Sequence, residues 1–248
     1  MLKDLVSGMT AYLNAFQIAS KHRLWVYFIA PVLISIALAV GIFYSAWGLS
    51  GNIGNVINNI YPWEWGSEAV AKIGQVFGGL LIIAVGLILF KNLTIALASP
   101  FMSFLSEKVE RLLYGGSSPT FSAAQFFSDL ARGIRIAIRL IVRELFFTLL
   151  LFLLGLIPIF SPVVPFALFA MQAYYAGFGN IDFTLERYYK VRKSVQFIRQ
   201  NRGMAIGNGI VYLLLYFTLI GFIFALPLGT IAGTTEAMKK LSTQKIDA

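Results

Sequence analysis

Long apolar stretches dominate the pattern along this chain, and two of them have the pattern of ordinary membrane-spanning helices. Residues 25–47 and 70–98 each exceed the roughly 20 apolar residues that a helix needs to cross a bilayer. Tryptophan, tyrosine and lysine lie toward their ends, as in the belts that anchor helices at the membrane surface. Among these residues, Lys91 is expected to extend to the lipid headgroups. The pattern predicts two transmembrane helices over these ranges. The helical pattern of 101–114 predicts that the second helix continues beyond Pro100 and out of the membrane.

Two further apolar stretches, 145–181 and 204–235, are interrupted by proline and flanked by basic residues on both sides. Because basic flanks are retained on the cytoplasmic side, each stretch should enter the membrane and return. The 13 residues of 145–157 form about 20 Å of helix, short of a hydrocarbon core of about 30 Å. We therefore predict two re-entrant helical hairpins, with tips at 158–165 and near 226–229.

The first twenty residues predict an amphipathic helix. Its apolar side chains recur at the spacing of one helical face, at Leu2, Leu5, Val6, Met9, Leu13 and Phe16. Such a helix either lies in the membrane interface or packs its apolar face on the other helices, and the pattern fits both arrangements. The expected fold is an all-α integral membrane protein forming a single membrane domain over residues 1–248.

The composition agrees with a membrane protein. The chain is 58% hydrophobic and 12% charged, against roughly a quarter charged residues in soluble domains. The net charge of +9 is explained by cytoplasmic loops and anionic lipid headgroups better than by nucleic acid. The loop 48–69 contains no lysine or arginine, so it should lie outside. We expect a multi-pass protein of the inner membrane with both termini cytoplasmic.

The residues that catalysis, metal binding or nucleotide binding would require are largely missing. There is no cysteine, and His22 is the only histidine, so neither residue type can form a metal cluster within one chain. The sequence also lacks a nucleotide-binding glycine loop and a convincing Ser/His/Asp set. We therefore expect no enzyme activity, no cofactor and no metal.

The most ordered charge pattern is a row of arginines, at Arg132, Arg135, Arg139 and Arg143. Their offsets place all of them on one stripe of a helix predicted over 122–144. The guanidinium group binds oxyanions through two parallel donors. The stripe therefore fits either an interfacial helix that meets lipid phosphates or partner carboxylates, or a basic path for anions.

A second group of cations precedes the first predicted span. Lys21 and Arg23 lie just before it, with His22 between them. They could offer an oxyanion site at the start of a helix, where free amides and the dipole favour anions. They could equally be the positive flank that keeps this end of the span in the cytoplasm.

Residues 97–110, LASPFMSFLSEKVE, resemble the small-Pro-Phe segment of the CysZ-type sulfate permease family, within the etoposide-induced membrane protein superfamily. The arginine-rich segment 132–143, Ile157 with Pro158, and Asp182 with Phe183 follow in the family's order, so the resemblance covers most of the chain. It implies structural roles for a set of motif residues, namely Pro31, Pro100, Glu107, Pro158 and Asp182.

The resemblance implies partially inserted hairpins, homo-oligomers, and sulfate uptake for cysteine biosynthesis without a bound nucleotide. The sequence departs from the family at the Gly-hydrophobic-Arg-Arg run that binds sulfate, whose two arginine positions fall on Trp25 and Val26. The nearest cations are Lys21 and Arg23. We expect an anion permease or channel with sulfate as the first candidate. The alternative is a non-transporting membrane protein that scaffolds partners or organises lipid.

Overall fold

The computed structural model describes residues 1–42, 44, 68–115, 122–218 and 221–246, with side chains undescribed for 68–84 and 243–246. All regular secondary structure in these ranges is helical, which confirms the predicted all-helical class. The helices are α1 Leu2–Lys21, α2 Leu24–Ile42, α3 Glu68–Tyr114, α4 Ala123–Gly155, α5 Val164–Leu185, α6 Val191–Gln200, α7 Arg202–Tyr216 and α8 Gly221–Ile246.

Among the described residues, two helical stretches are long and apolar enough to cross a membrane, namely α2 and the Val85–Tyr114 part of α3. Helix α2 begins with a 3-10 turn over Leu24–Phe28. Pro31 therefore falls in the first turn of the α-helical part, where an amide hydrogen is not needed. The end of the first predicted span and the predicted external loop 48–69 lie outside the described residues, apart from the start of α3.

Helix α3 is continuous through Pro100 to Tyr114, as predicted. Its 47 residues correspond to about 70 Å of helix. Proline lacks the amide that would normally bond the carbonyl of Ala96, and the Ser99 hydroxyl donates to that carbonyl instead, at 2.8 Å. A neighbouring serine thus satisfies the group that the proline leaves open. Gly115 follows with a φ of 80°, a left-handed conformation that ends the helix.

Helices α4 and α5 form a hairpin whose chain reversal occupies 156–163, within two residues of the range predicted for the tip. The predicted division between a helix ending at Glu144 and a separate arm beginning at Leu145 is wrong, because α4 runs unbroken from Ala123 to Gly155. No proline and only one internal glycine, Gly133, interrupt this range. Helix propagation is favourable once begun, so the helix continues.

Helices α7 and α8 form a second hairpin, which reverses between Tyr216 and Gly221. The predicted turn near 226–229 is therefore wrong, and Pro227 lies inside α8. The hydroxyl of Thr218 accepts a hydrogen bond from the Gly221 amide at 3.0 Å. This contact is a side-chain cap for the start of α8, and it fixes the turn upstream of the proline.

Helix α7 lies between α1 and α5, and the approach is close enough to require glycine. A Cβ at Gly207 would lie 2.1 Å from the Leu5 carbonyl oxygen of α1. On the other side, a Cβ at Gly209 would lie 1.7 Å from the Ala173 carbonyl oxygen of α5. These contacts make α1, α5 and α7 a tightly packed block.

Helix α1 packs through small side chains rather than through its predicted apolar face. Its buried residues are Gly8, Ala11, Tyr12, Ala15 and Ala19. The larger apolar residues point away from the bundle, with Leu2 80% and Leu13 70% exposed in the single chain. Helix α1 therefore packs on the other helices, as one of the two predicted arrangements requires, but through these buried residues, while its large apolar residues point outward.

Candidate functional site

A buried ion pair joins α3 to α4. Lys91 Nζ donates to Glu144 Oε2 at 2.8 Å and to Gln172 Oε1 at 2.6 Å. The two charged side chains are 3% and 0% exposed. Glu144 Oε1 also accepts from Asn92 Nδ2 at 3.2 Å. The prediction that Lys91 extends to the headgroups is wrong, because acceptors on neighbouring helices bind its ammonium inside the protein.

A cavity of about 320 Å³ adjoins this pair, between α3, α4, α5 and α7. It is partly open to the surface, since its lining residues Leu87 and Phe217 are 40% and 62% exposed. Most of its wall is apolar, and its polar groups come from Lys91, Thr148, Gln172 and Tyr216. The hydroxyl oxygens of Thr148 and Tyr216 are buried and have no hydrogen-bond partner within the described part of the chain. Buried polar atoms are normally paired, so a cavity with unpaired hydroxyls is unusual.

Arg132, the first arginine of the predicted stripe, is bound by other residues of the protein. Its Nε and Nη2 donate to the two carboxylate oxygens of Asp182, each at 3.1 Å. Further donors reach the Tyr189 carbonyl and the Ser194 hydroxyl, both at 2.9 Å. Arg132 thus connects α4 to α5 and to the segment that leads into α6. Among the predicted anion-binding residues, it has the most protein partners.

A second carboxylate lies beside Arg132. Glu186 Oε2 is 3.7 Å from Arg132 Nε, while Glu186 Oε1 is buried with no hydrogen-bond partner in the described ranges. Burial raises the pKa of the Glu186 carboxyl well above its usual range. Burial also raises the pKa of Asp129 nearby on α4. One guanidinium therefore faces two acidic groups, Asp182 and Glu186, at the end of α5.

The remaining stripe arginines have a different environment. Arg135 and Arg139 are exposed on the outer surface of α4, and Arg143 is half-buried. Two contacts fix the part of α3 beside them. Ser99 Oγ donates to the Asp129 carbonyl at 3.0 Å, and Lys91 meets Glu144. The three arginines therefore lie on the part of α4 that runs alongside residues 91–99 of α3.

The other predicted site residues lie apart from this stripe. Lys21 is exposed as the last residue of α1, and Arg23 is exposed in the link between α1 and α2, where it has a left-handed φ of 53°. Over the described ranges, neither makes a hydrogen bond or ion pair with α4. Glu107 is half-buried on α3, and Pro158 lies in the turn between α4 and α5. The predicted cations thus lie in two separate regions, one where α1 meets α2 and the other along α4.

The chain was compared with known proteins. A family model described as "Sulfate transporter CysZ/Etoposide-induced protein 2.4" matches residues 11–227. The chain belongs to this family. A curated relative, "Sulfate transporter CysZ" of Pseudomonas fluorescens, is 24% identical over 245 residues, which cover 95% of this chain and 94% of the relative. Both names describe transporters, so the expectation that the chain is not an enzyme is confirmed, and a membrane location follows from the family.

An aromatic cluster surrounds Trp25 at the start of α2. Trp25, at one of the two arginine positions that the resemblance implies, packs between rings of α1, α2 and α8. Its ring centroid lies 5.7 Å from Phe16, 4.9 Å from Phe28 and 6.1 Å from Phe224. This cluster holds the start of α2 against its neighbours and leaves Arg23 as the adjacent cation.

Sequence reasoning missed the Lys91–Glu144 pair and a second one, in which Arg187 Nη2 binds Glu110 Oε2 at 2.7 Å. For the first pair a signal existed. Ionisable residues within membrane segments are costly and usually pair with one another, so Lys91 and Glu144 could have been matched. The sequence pattern placed Glu144 at the end of an interfacial helix, so it did not predict that Glu144 lies inside the bundle.

Proposed function

We propose that this protein is an inner-membrane permease or channel for oxyanions, with sulfate as the leading candidate, and that it supplies sulfate for cysteine biosynthesis. The observation that carries this proposal is the position of Arg135 and Arg139, which are exposed on α4 alongside an apolar span of α3. Family membership supports sulfate as the substrate, since the relative is named a sulfate transporter.

The depth of these arginines supports a wet path for anions. Thr94 of α3 lines one small cavity together with Pro31 and Ser35 of α2. Residues 91–99 of α3 are thus level with the middle of α2, a candidate span over Leu24–Ile42. A guanidinium at that depth is costly unless it faces protein or water. In a homo-oligomer, exposed stripes from several copies would line a hydrated path for oxyanions.

We propose the topology that matches this path. Helices α2 and α3 cross the membrane, and both hairpins enter from the cytoplasmic side, where both termini lie. The ring of Phe222, near the α7–α8 tip, stacks on Phe90 of α3 at a centroid distance of 6.2 Å. Helix α3 continues from there to Glu68, about 33 Å further. Helix α3 thus extends about 33 Å beyond the α7–α8 tip. This difference supports a hairpin that enters the membrane without crossing it, within a single membrane domain over 1–248.

The proposed anion-binding residues have graded roles in this scheme. Lys21 and Arg23 attract anions at the cytoplasmic end, and Arg135, Arg139 and Arg143 carry them along α4. Arg132 is left out, because its donors are occupied by Asp182 and neighbouring acceptors. Weak and repeated sites suit conduction, since an ion that binds must also leave.

A second candidate is a membrane protein that organises lipid without transporting. The observation that favours it is the outward apolar face of α1, which would rest in a lipid surface, with its exposed residues at Leu2, Val6, Leu13 and Phe16. In that case the stripe of α4 would bind lipid phosphates, which guanidinium groups also recognise.

The deciding experiment is uptake of radiolabelled sulfate into liposomes that contain the purified protein, measured at several pH values against empty vesicles. We expect uptake that falls at least tenfold when Arg135, Arg139 and Arg143 are replaced by glutamine. Replacement by lysine should retain part of the uptake, because charge remains while the bidentate fork is lost. Uptake no greater than in empty vesicles would overturn the proposal. Unchanged uptake with weaker attachment to anionic liposomes would assign the stripe to lipid.

A further inference from the structure

We infer that Lys91 binds the oxyanion inside the bundle, and that Glu144 is its counter-ion while the site is empty. This inference rests on the proposed transport of oxyanions and adds to it an internal binding site for the ion. The Nζ–Oε2 distance of 2.8 Å, the near-complete burial of both groups and the adjoining cavity are the observations behind it.

Stability does not account for the pair. Removing a lysine and a glutamate from water is costly, and their attraction often does no more than offset that cost. Apolar residues of similar size would fill the α3–α4 contact at least as well. A charged pair at 3% and 0% exposure, level with a membrane span, is therefore better explained by a role in handling ions.

Four side chains that line the cavity can donate hydrogen bonds. An ammonium has three N–H groups, and those of Lys91 reach two acceptors, Glu144 and Gln172. The side-chain amide nitrogen of Gln172 is a further donor at the cavity. Thr148, 2% exposed, and Tyr216 add unpaired hydroxyls to the same wall. One positive charge and several donors around the same space fit a ligand with several acceptor oxygens and a negative charge.

The space is sufficient for such a ligand. A water takes about 30 Å³ of liquid volume, so a tetrahedral oxyanion with the bulk of two or three waters needs roughly 60–90 Å³. The cavity offers about 320 Å³, enough for the ion and several of its waters. Its apolar walls give the ion few other partners, so Lys91 supplies the single positive charge among the residues that line it.

Glu144 keeps the binding weak. Its carboxylate competes with the arriving oxyanion for the same ammonium, so the ion binds less tightly than it would to a lysine without a partner. Asn92 Nδ2, 3.2 Å from Glu144 Oε1, still holds the carboxylate when Lys91 turns to the ion. A resident competitor of this kind lets the ion leave again, which conduction requires.

The test compares two variants that differ only at Lys91. Glu144→Gln keeps the shape of the side chain and removes the competitor. The double variant with Lys91→Met and Glu144→Gln removes both charges, which avoids leaving a buried carboxylate unpaired. Purified proteins in detergent are titrated with sodium sulfate at ionic strength held constant with gluconate. Thermal unfolding and calorimetry report binding, and circular dichroism confirms folding.

We expect Glu144→Gln to bind sulfate at least tenfold more tightly than the wild type, and the double variant to show no response. Lys108→Met, a matched lysine removal on α3, should keep the wild-type response. A sulfate response that survives in the double variant, or no gain in Glu144→Gln, would overturn the inference even if the wild type transports sulfate. Lys91-dependent binding without uptake into liposomes would instead leave the site standing and reject the transport function.

Discussion

Arg132 and Asp182 are joined by two parallel hydrogen bonds of 3.1 Å each, which tie α4 to α5. The same guanidinium continues to Tyr189 and Ser194, so one side chain holds three segments together. Arg139, two turns further along the same stripe, is exposed. Arginines that look equivalent in the sequence therefore have different physical roles, and each role can be tested separately.

Arg132→Gln should lower the free energy of unfolding by about 3–5 kcal/mol, because it leaves the buried Asp182 carboxylate without its counter-ion. Arg139→Gln, on the exposed part of the stripe, should change it by less than about 0.5 kcal/mol. Denaturant unfolding of the purified proteins in detergent measures both. Equal losses in the two variants would contradict the structural role assigned to Arg132.

Gly209→Ala should destabilise the helix bundle, because its new methyl group would lie 1.7 Å from the Ala173 carbonyl oxygen. Backbone atoms cannot give way cheaply, so we expect a loss of at least about 1–3 kcal/mol. Gly86→Ala is the matched control, since no atom lies within 4 Å of its Cβ position. There alanine should stabilise α3 by about 0.5–1 kcal/mol. A Gly209→Ala protein with unchanged thermal stability would contradict the close approach of α5 and α7.

Glu186→Gln should make the protein less sensitive to rising pH. Burial raises the pKa of Glu186 in the folded protein above its unfolded value. The associated stability is therefore complete below the unfolded pKa and is lost as pH rises through the folded pKa. Glutamine does not ionise, so the variant should have the higher melting temperature at pH 8 and a smaller difference between pH 5 and pH 8. If the melting temperatures of the two proteins changed equally with pH, burial would not oppose the ionisation of Glu186.

The absence of cysteine makes the hairpin topology directly testable with single-cysteine variants. Ile159→Cys and Phe217→Cys lie near the two tips, and both side chains are exposed in the single chain. Gln200→Cys lies between the hairpins, at the end of α6. A membrane-impermeant maleimide should label Gln200→Cys only in inside-out vesicles and should not reach the tips in right-side-out vesicles. Labelling of either tip from outside would mean that its hairpin crosses the membrane.

The sequence was informative where a local signal decided the structure. Three prolines within 158–165 located the α4–α5 reversal, and the pattern beyond Pro100 predicted that α3 continues. It was misleading at Pro227, because a threonine cap at Thr218 outweighed the proline. Proline is tolerated inside membrane helices, so its presence alone does not locate a turn.

The candidate site was harder to predict, because it depends on which helices are neighbours. Lys91 and Glu144 are 53 positions apart, and helical periodicity gives the face of each residue but not the partner that it meets. The same limit applies to the arginine stripe. Its periodicity was sufficient to align Arg132 with Arg139, but only the packing of α5 beside α4 separates a buried ion pair from an exposed cation.

The packing of α1 has a consequence for how the protein is made. Tyr12 of α1 donates to the Asn208 carbonyl of α7 at 3.0 Å, and Asp4 binds Lys240 of α8 at 2.7 Å. These partners are synthesised about 200 residues after α1. Helix α1 therefore lacks them until α7 and α8 have been made, and its outward apolar face can lie on a lipid surface during that time.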